Sequence, residues 1–410
     1  MIRRVVVTGM GAVTALGHDW ASVATALRAR RSAVVLMPEW KAIEGLQTHV
    51  AAPITDFVVP ASFPRKKTRS MGRVALLATS ATRSALENAG LLNDPAVTDG
   101  SVGVSYGSTS GSPPAMEIYA RSLLASTIKG IAGSDYLQFM SHTCAANLAL
   151  FFGVRGRVIP TCSACTSGSQ GIGYAYEAIR FGRQTAMIAG GAEELHAIDA
   201  GVFDILYAAS TKNDDPASTP RPFDADRDGL VVGEGAATLI LEDLDHARAR
   251  GANIYAEIVG FGTNSDGRHI TNPDRDGMRR VMELALADAS LVPSDVGYVN
   301  AHGTGTRVGD IAESEATHQV FGSRVPVSTL KGALGHTLGA CGAIEAWATV
   351  QMLRESWVAP TLNLERVDEA CAPLDYVRGA CRDVRSEFAV SNNFAFGGVN
   401  TSIVIRQWPT

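Results

Sequence analysis

Residues 160–168 read PTCSACTSG and place Cys162 and Cys165 in a C-x-x-C spacing. In a chain without a disulfide framework that spacing fits a thiol–disulfide pair. It fits equally well a single nucleophilic cysteine on a strand-to-helix turn, with Ser163 and Ser167 as the small neighbours such a turn needs. A thiol at a helix N-terminus meets the positive end of the helix dipole, so Cys165 is expected to favour the thiolate near neutral pH. Two further stretches add chemistry. VNAHGTGTRVGD places His302 at the end of an apolar run followed by glycines, and STLKGALGHTLGACG places Lys331 and His336 in a turn before a small-residue helix. A cysteine, two histidines and a lysine in glycine-rich loops form a constellation suited to covalent catalysis.

Positioning these groups requires alternating elements. RRVVVTG, SVGVSYG, GRVIPTC, AMIAGG and ATLILEDL read as strands, with helices at WASVATALRARR and SQGIGYAYEAIRFG. The alternation restarts at ANIYAEIVGFGTNSDG and runs through a helix at GMRRVMELALADAS and strands at VGYVNAHGT and VPVSTL. It closes with a helix from about Gly339 and a last strand, NTSIVIRQW. GEGAATLIL (233–241) aligns with GGVNTSIVI (397–405), and Cys165 and Lys331 stand at similar distances before them. The pattern predicts an α/β fold made of a duplicated unit, residues 1–250 carrying the nucleophile and 251–410 carrying the histidines. The Gly- and Ala-rich helices after Cys165 and His336 are expected to pack against each other in the interior.

Composition narrows the classes. The chain has 410 residues, 46% hydrophobic and 19% charged, with a formal net charge of −5. No global basic field and no zinc-finger or RNP-like string point to nucleic acid. GMGAVT resembles a dinucleotide fingerprint, but Thr14 holds the third small position and the acid expected downstream has only Glu39 as a poor candidate. No apolar stretch is long enough to span a bilayer, and six cysteines without framework spacing predict a cytoplasmic protein with free thiols.

The quoted stretches, together with AGGAEE, STKNDDP, RPFDADRDG, GHTLGACGAIEA and NNFAFGG, resemble over essentially the whole chain an elongating β-ketoacyl-acyl carrier protein synthase of the thiolase superfamily. The resemblance implies a five-layered αβαβα arrangement of two pseudo-symmetric halves, normally a homodimer. It implies decarboxylative condensation of an acyl thioester, held on Cys165, with malonyl-acyl carrier protein. No cofactor is needed beyond the 4'-phosphopantetheine of the acyl carrier protein that brings the substrates. His302 and His336 would stabilise the enolate as neutral N–H donors, with Lys331 favouring that state and Glu345 orienting Lys331. The backbone N–H groups of Cys165 and Phe396 would form the oxyanion hole, and Thr304 and Thr306 would bind the pantetheine amides. Ser110, Ala395 and Phe396 fall at acyl-pocket and gate positions. Cys162 becomes a bystander in this reading.

FPRKKTRSMGR (63–73) holds Arg65, Lys66, Lys67, Arg69 and Arg73 with no acid. The resemblance makes this stretch, with Lys212, the docking site for an acidic acyl carrier protein, which a local basic patch can steer. Ala395 where glycine is usual, Ser110, Leu330 and the stretch SDYLQFMSHTCAANL depart from the housekeeping pattern and open a polyketide or aryl polyene pathway beside fatty-acid elongation. A heterodimer with a related subunit stays open. Two rival classes remain: a thiol–disulfide protein using Cys162 and Cys165, and a non-catalytic chain-length partner subunit, which would lack the nucleophile present here.

Overall fold

In the computed structural model, which describes residues 2–409, the first strand, β1 (Val5–Thr14), is buried along its whole length. An apolar run buried on both faces belongs in a sheet covered on both sides. The first half continues with β2 (Val102–Gly107), β3 (Val158–Thr161), β4 (Ala186–Glu193) and β5 (Gly235–Asp243). The second half supplies β6 (Ala256–Ser265), β7 (Val296–Asn300), β8 (Pro326–Ser328), β9 (Phe388–Phe394) and β10 (Val399–Gln407).

These strands run β3-β2-β4-β5-β1 in the first half and β8-β7-β9-β10-β6 in the second. Numbered within each half, both orders are third, second, fourth, fifth, first. Strand directions repeat too. β2 is parallel to β3 and β4, β7 is parallel to β8 and β9, and the remaining neighbours within each half pair antiparallel. The segments matched in the sequence, 233–241 and 397–405, lead into β5 and β10, the fifth strand of each half. One feature was not foreseen. β1 pairs with β6 through Val5, Val6 and Val7, so the halves join into a single 11-stranded sheet ending in the short strand Asp375–Tyr376.

Helices complete the layers. α1 (Arg73–Asn88) and α2 (Thr143–Phe152) cover the outer face of the first half. α4 (Arg275–Ala289), with α5 (Arg307–Phe321) beside it, covers that of the second. Between them lie α3 (Ser167–Arg180) and α6 (Cys341–Arg354), which touch each other and strands of both halves. The order is αβαβα. The small residues of the inner helices are there because backbones meet: a Cβ on Gly168 would fall 2.9 Å from the Ala343 nitrogen, and one on Gly342 would fall 2.7 Å from Ser169 Cβ. Only glycine permits that approach. Among the described residues, no helix is long and apolar enough to cross a membrane.

Candidate active site

The strand-turn-helix elbow expected around Cys165 is present, and it is doubled. β3 ends at Thr161, a tight turn holds Ala164–Thr166, and α3 starts at Ser167. Ala164 has φ +49°, a left-handed conformation that costs a residue with a Cβ about 1–2 kcal/mol. In the second half a turn over Leu338–Ala340 precedes α6, and Leu338 has φ +45°. The counterpart of Cys165 is therefore Gly339. The match of Cys165 with Lys331 that spacing implied is corrected, because the loop after β8 is longer than the loop after β3.

Five residues expected to work together, Cys165, His302, His336, Lys331 and Glu345, do converge. His336 Nε2 lies 3.1 Å from Cys165 Sγ. The His302 and His336 rings stand nearly perpendicular, centroids 5.1 Å apart. Lys331 Nζ is 3.3 Å from His302 Nδ1 and pairs with Glu345. All five side chains are buried.

Their hydrogen bonds fix both imidazole tautomers. The Leu338 N–H donates to His336 Nδ1 at 3.2 Å, so that nitrogen is an acceptor and the ring proton sits on Nε2, facing the sulfur. An ammonium has only protons to give, so His302 Nδ1 accepts from Lys331 and His302 also carries its proton on Nε2. Burial first, and then the Lys331 charge, push the pKa of both histidines well below the usual imidazole range. Burial opposes the charge on Lys331, but Glu345 outweighs it and keeps the ammonium protonated.

The sulfur departs from expectation. Burial pushes the Cys165 thiol up to about 12, against the pull of Lys331 and the Phe396 and Cys165 backbone N–H groups. Desolvation outweighs these three opposing influences and favours the thiol over the thiolate. Those two amides nonetheless face the sulfur, the placement an oxyanion hole needs.

Cys165, His302 and His336 open into a cavity of about 230 Å³ whose wall includes Thr304, Thr306, Ala395 and Phe396. The Thr304 and Thr306 hydroxyls are 2.9 Å apart. Phe396 packs on Phe203, ring centroids 5.3 Å apart. Leu206, Ile270 and Val308 add apolar surface to the wall. Ser110 does not line this cavity; it is held in its own turn, its carbonyl accepting from the Ser108 hydroxyl at 2.5 Å.

The basic stretch divides. Arg65, Lys66, Lys67 and Arg69 are exposed, although Lys67 Nζ caps the Phe151 carbonyl at 2.6 Å. Arg73 is not part of a free patch. Its guanidinium grips the buried carboxylate of Glu234 at 2.8 and 2.9 Å and the Ile54 carbonyl at 2.7 Å. Lys212 lies in another loop, its ammonium on the Asp226 carbonyl at 3.3 Å. Cys162 is exposed and donates to the Ser141 carbonyl at 2.6 Å, while Cys165 is buried under His336; both thiols are free.

Sequence reasoning missed four participants. Asn393 Nδ2 donates to Glu345 at 2.7 Å and approaches His302 Nδ1 at 3.5 Å. Glu313 receives the His302 and Gly303 N–H groups at 2.6 and 2.7 Å, and Glu193 receives those of Thr109 and Gly339 at 2.9 and 2.8 Å. Cys341 donates to the Cys165 carbonyl at 3.3 Å. The acid pair closing the glycine-rich stretch AGGAEE was the available signal for Glu193; the others follow only from long-range folding.

Comparison with known proteins agrees with this geometry. Residues 2–247 match the family model described as Beta-ketoacyl synthase, N-terminal domain, and residues 255–365 match Beta-ketoacyl synthase, C-terminal domain. The chain is 36% identical to 3-oxoacyl-[acyl-carrier-protein] synthase 1 of Haemophilus influenzae, over 99% of this chain and 100% of that one. A crystal structure of a beta-ketoacyl synthase from Burkholderia phymatum STM815 superposes with a TM-score of 0.98 at 56% identity, over 99% of this chain and 100% of that chain. A type II PKS acyl-carrier protein in complex with its ketosynthase bound to the hexaketide superposes with a TM-score of 0.89 at 30% identity, each chain fully covered. With its duplicated sheet, its elbow cysteine and both halves matched, the chain belongs to the beta-ketoacyl synthase family.

Proposed function

We propose that the protein elongates acyl chains by decarboxylative Claisen condensation, with Cys165 as nucleophile and His302 and His336 as neutral hydrogen-bond donors. In the first step the sulfur attacks the carbonyl carbon of an acyl thioester on acyl carrier protein. The bond to the pantetheine sulfur breaks, and the Cys165 proton leaves with the released carrier thiol. The Cys165 and Phe396 N–H groups stabilise the oxyanion as it forms. In the second step a malonyl thioester loses carbon dioxide, and the electron pair left behind forms an enolate. Its oxygen is held by the two Nε2–H groups. The enolate carbon attacks the acyl carbonyl, expels the Cys165 sulfur and gives the β-ketoacyl thioester; one proton from solvent restores the thiol. The reaction so written needs no resident cofactor.

The observation that carries this reading is the pair of locked tautomers. Donors, not bases, are what a carbonyl becoming an enolate requires. The junction of the halves, 1–250 and 251–410, supplies one nucleophile and two donors to a single cavity, and Thr304 and Thr306 on its wall offer hydroxyls to the pantetheine amides.

Acyl carrier protein as partner is supported by the names of the relatives and by the carrier complex among the structural neighbours. Exposed Lys66 and Arg69 are the cations we assign to it, with Arg65 and Lys67 beside them. We propose a homodimer, because β3 ends the 11-stranded sheet with Val158 exposed, and an unpaired edge of that kind invites a partner strand. Ala395 in the cavity wall is the position we assign to acyl selection. The test is incubation with a panel of acyl carriers plus malonyl carrier, with the products weighed. Two-carbon extension of saturated chains supports fatty-acid elongation, and extension confined to conjugated or aryl chains supports a polyene or polyketide pathway. No extension of any chain contradicts the proposal.

A further inference from the structure

Behind the catalytic histidine lies a second convergence. A ring nitrogen of His302, the Cys341 sulfur and a Glu345 carboxylate oxygen lie within 4.8 Å of one another, and all three residues are buried. Nitrogen, sulfur and carboxylate oxygen are the ligands of zinc and cobalt sites. The Lys331 ammonium reaches into this group: it pairs with Glu345 and lies 3.3 Å from His302 Nδ1. Asn393 reaches it as well. Its Nδ2 is 2.7 Å from Glu345, 3.5 Å from His302 Nδ1 and 3.6 Å from Cys341 Sγ, while its Oδ1 is buried with no hydrogen-bond partner among the described residues. Turned over, that amide would offer an oxygen where it now offers two protons.

We propose that Lys331 fills with its own ammonium a latent metal position formed by His302 Nδ1, Cys341 Sγ, Glu345 and Asn393 Oδ1, and that removing the lysine side chain creates a divalent transition-metal site there. The tethered charge does three things among these four buried donors. It neutralises Glu345, donates to the His302 Nδ1 lone pair, and repels an incoming cation. A metal at this point would leave the His302 tautomer unchanged, because Nδ1 is already the acceptor. Binding would break the Cys341 S–H bond and release its proton to solvent, so uptake rises with pH.

The probe is Co²⁺, whose bond to a thiolate gives a charge-transfer absorption. Full-length Lys331→Ala is expected to take up Co²⁺ with that band. The band should disappear in Lys331→Ala/Cys341→Ser and persist in Lys331→Ala/Cys165→Ser. The wild-type chain should show no band. Zn²⁺ should displace Co²⁺ from Lys331→Ala and raise its Tm, leaving that of the wild type unmoved. A folded Lys331→Ala protein without the band overturns the proposal, as does a band that follows Cys165 instead of Cys341. Should Lys331→Ala fail to fold, Lys331→Ser replaces it under the same criteria. A cobalt–thiolate band through Cys341 in the wild type overturns the proposal without any change at Lys331. None of these readouts uses condensation, so the outcome is separable from the proposed reaction.

Discussion

The backbone N–H of Leu338 lies 3.2 Å from His336 Nδ1 and so decides which imidazole nitrogen faces the Cys165 sulfur with a proton. A donor held in that way can be imitated by an amide only if the nitrogen falls at the Nε2 position. Glutamine reaches it and asparagine does not. His336→Asn is expected to lower the condensation rate by about 10²–10³, the scale of a lost oxyanion donor, and His336→Gln by clearly less. Release of carbon dioxide from malonyl carrier measures this. Equal loss in both variants would mean that His336 acts as a base.

Burial pushes the Cys165 thiol up to about 12. Alkylation by iodoacetamide should therefore keep accelerating as pH rises past 9, because the reactive thiolate fraction is still growing. A rate that levels off near neutral pH would restore the dipole-activated thiolate that the turn alone suggested.

Glu193 tethers the turn after β2 to the second elbow, and burial pushes its carboxyl up to about 8. Its pKa is raised above the unfolded value near 4.5, so between pH 4.5 and 8 the folded chain holds a proton that the unfolded chain has lost. Stability then falls as pH rises through that window, by at most about 1.4 kcal/mol per pH unit from this group. Glu193→Gln keeps an oxygen to accept both amides and removes the titration. The Tm of the variant should gain on that of the wild type from pH 5 to pH 8. Parallel Tm curves would contradict the assignment.

Arg73 and Arg69 separate structure from docking. Arg73→Ala strands the buried Glu234 and should destabilise the fold by about 1–3 kcal/mol, leaving the KM for carrier-bound substrate unchanged. Arg69→Glu and Lys66→Glu should raise that KM and leave Tm unchanged, with short pantetheine substrates unaffected. Thermal melts and steady-state kinetics read the two effects separately.

The duplicated α/β plan was legible because apolar runs such as Val5–Thr14 and the matched segments 233–241 and 397–405 carry local periodicity. Cys165, His302, Lys331 and His336 were legible because their glycine-rich surroundings mark loop turns. Asn393 and Cys341 were not, since nothing local says that β9 and α6 bring them against His302. The fused sheet was hidden for a similar reason: it depends on three valines of β1 meeting β6. The upward push on the Cys165 thiol is not legible in the sequence, because a helix terminus is visible there and the depth of burial is not. Arg73 was assigned to the patch by charge alone, before its partner Glu234 was in view.

Condensation by the proposed route requires Cys165 to take the acyl group. Intact-protein mass spectrometry after incubation with an acyl carrier should show the mass of one acyl chain added, mapped to Cys165 and absent in Cys165→Ala, with Cys162→Ser acylated as the wild type is. An unmodified chain, an acyl group on another cysteine, or a Cys162–Cys165 disulfide in its place would contradict it.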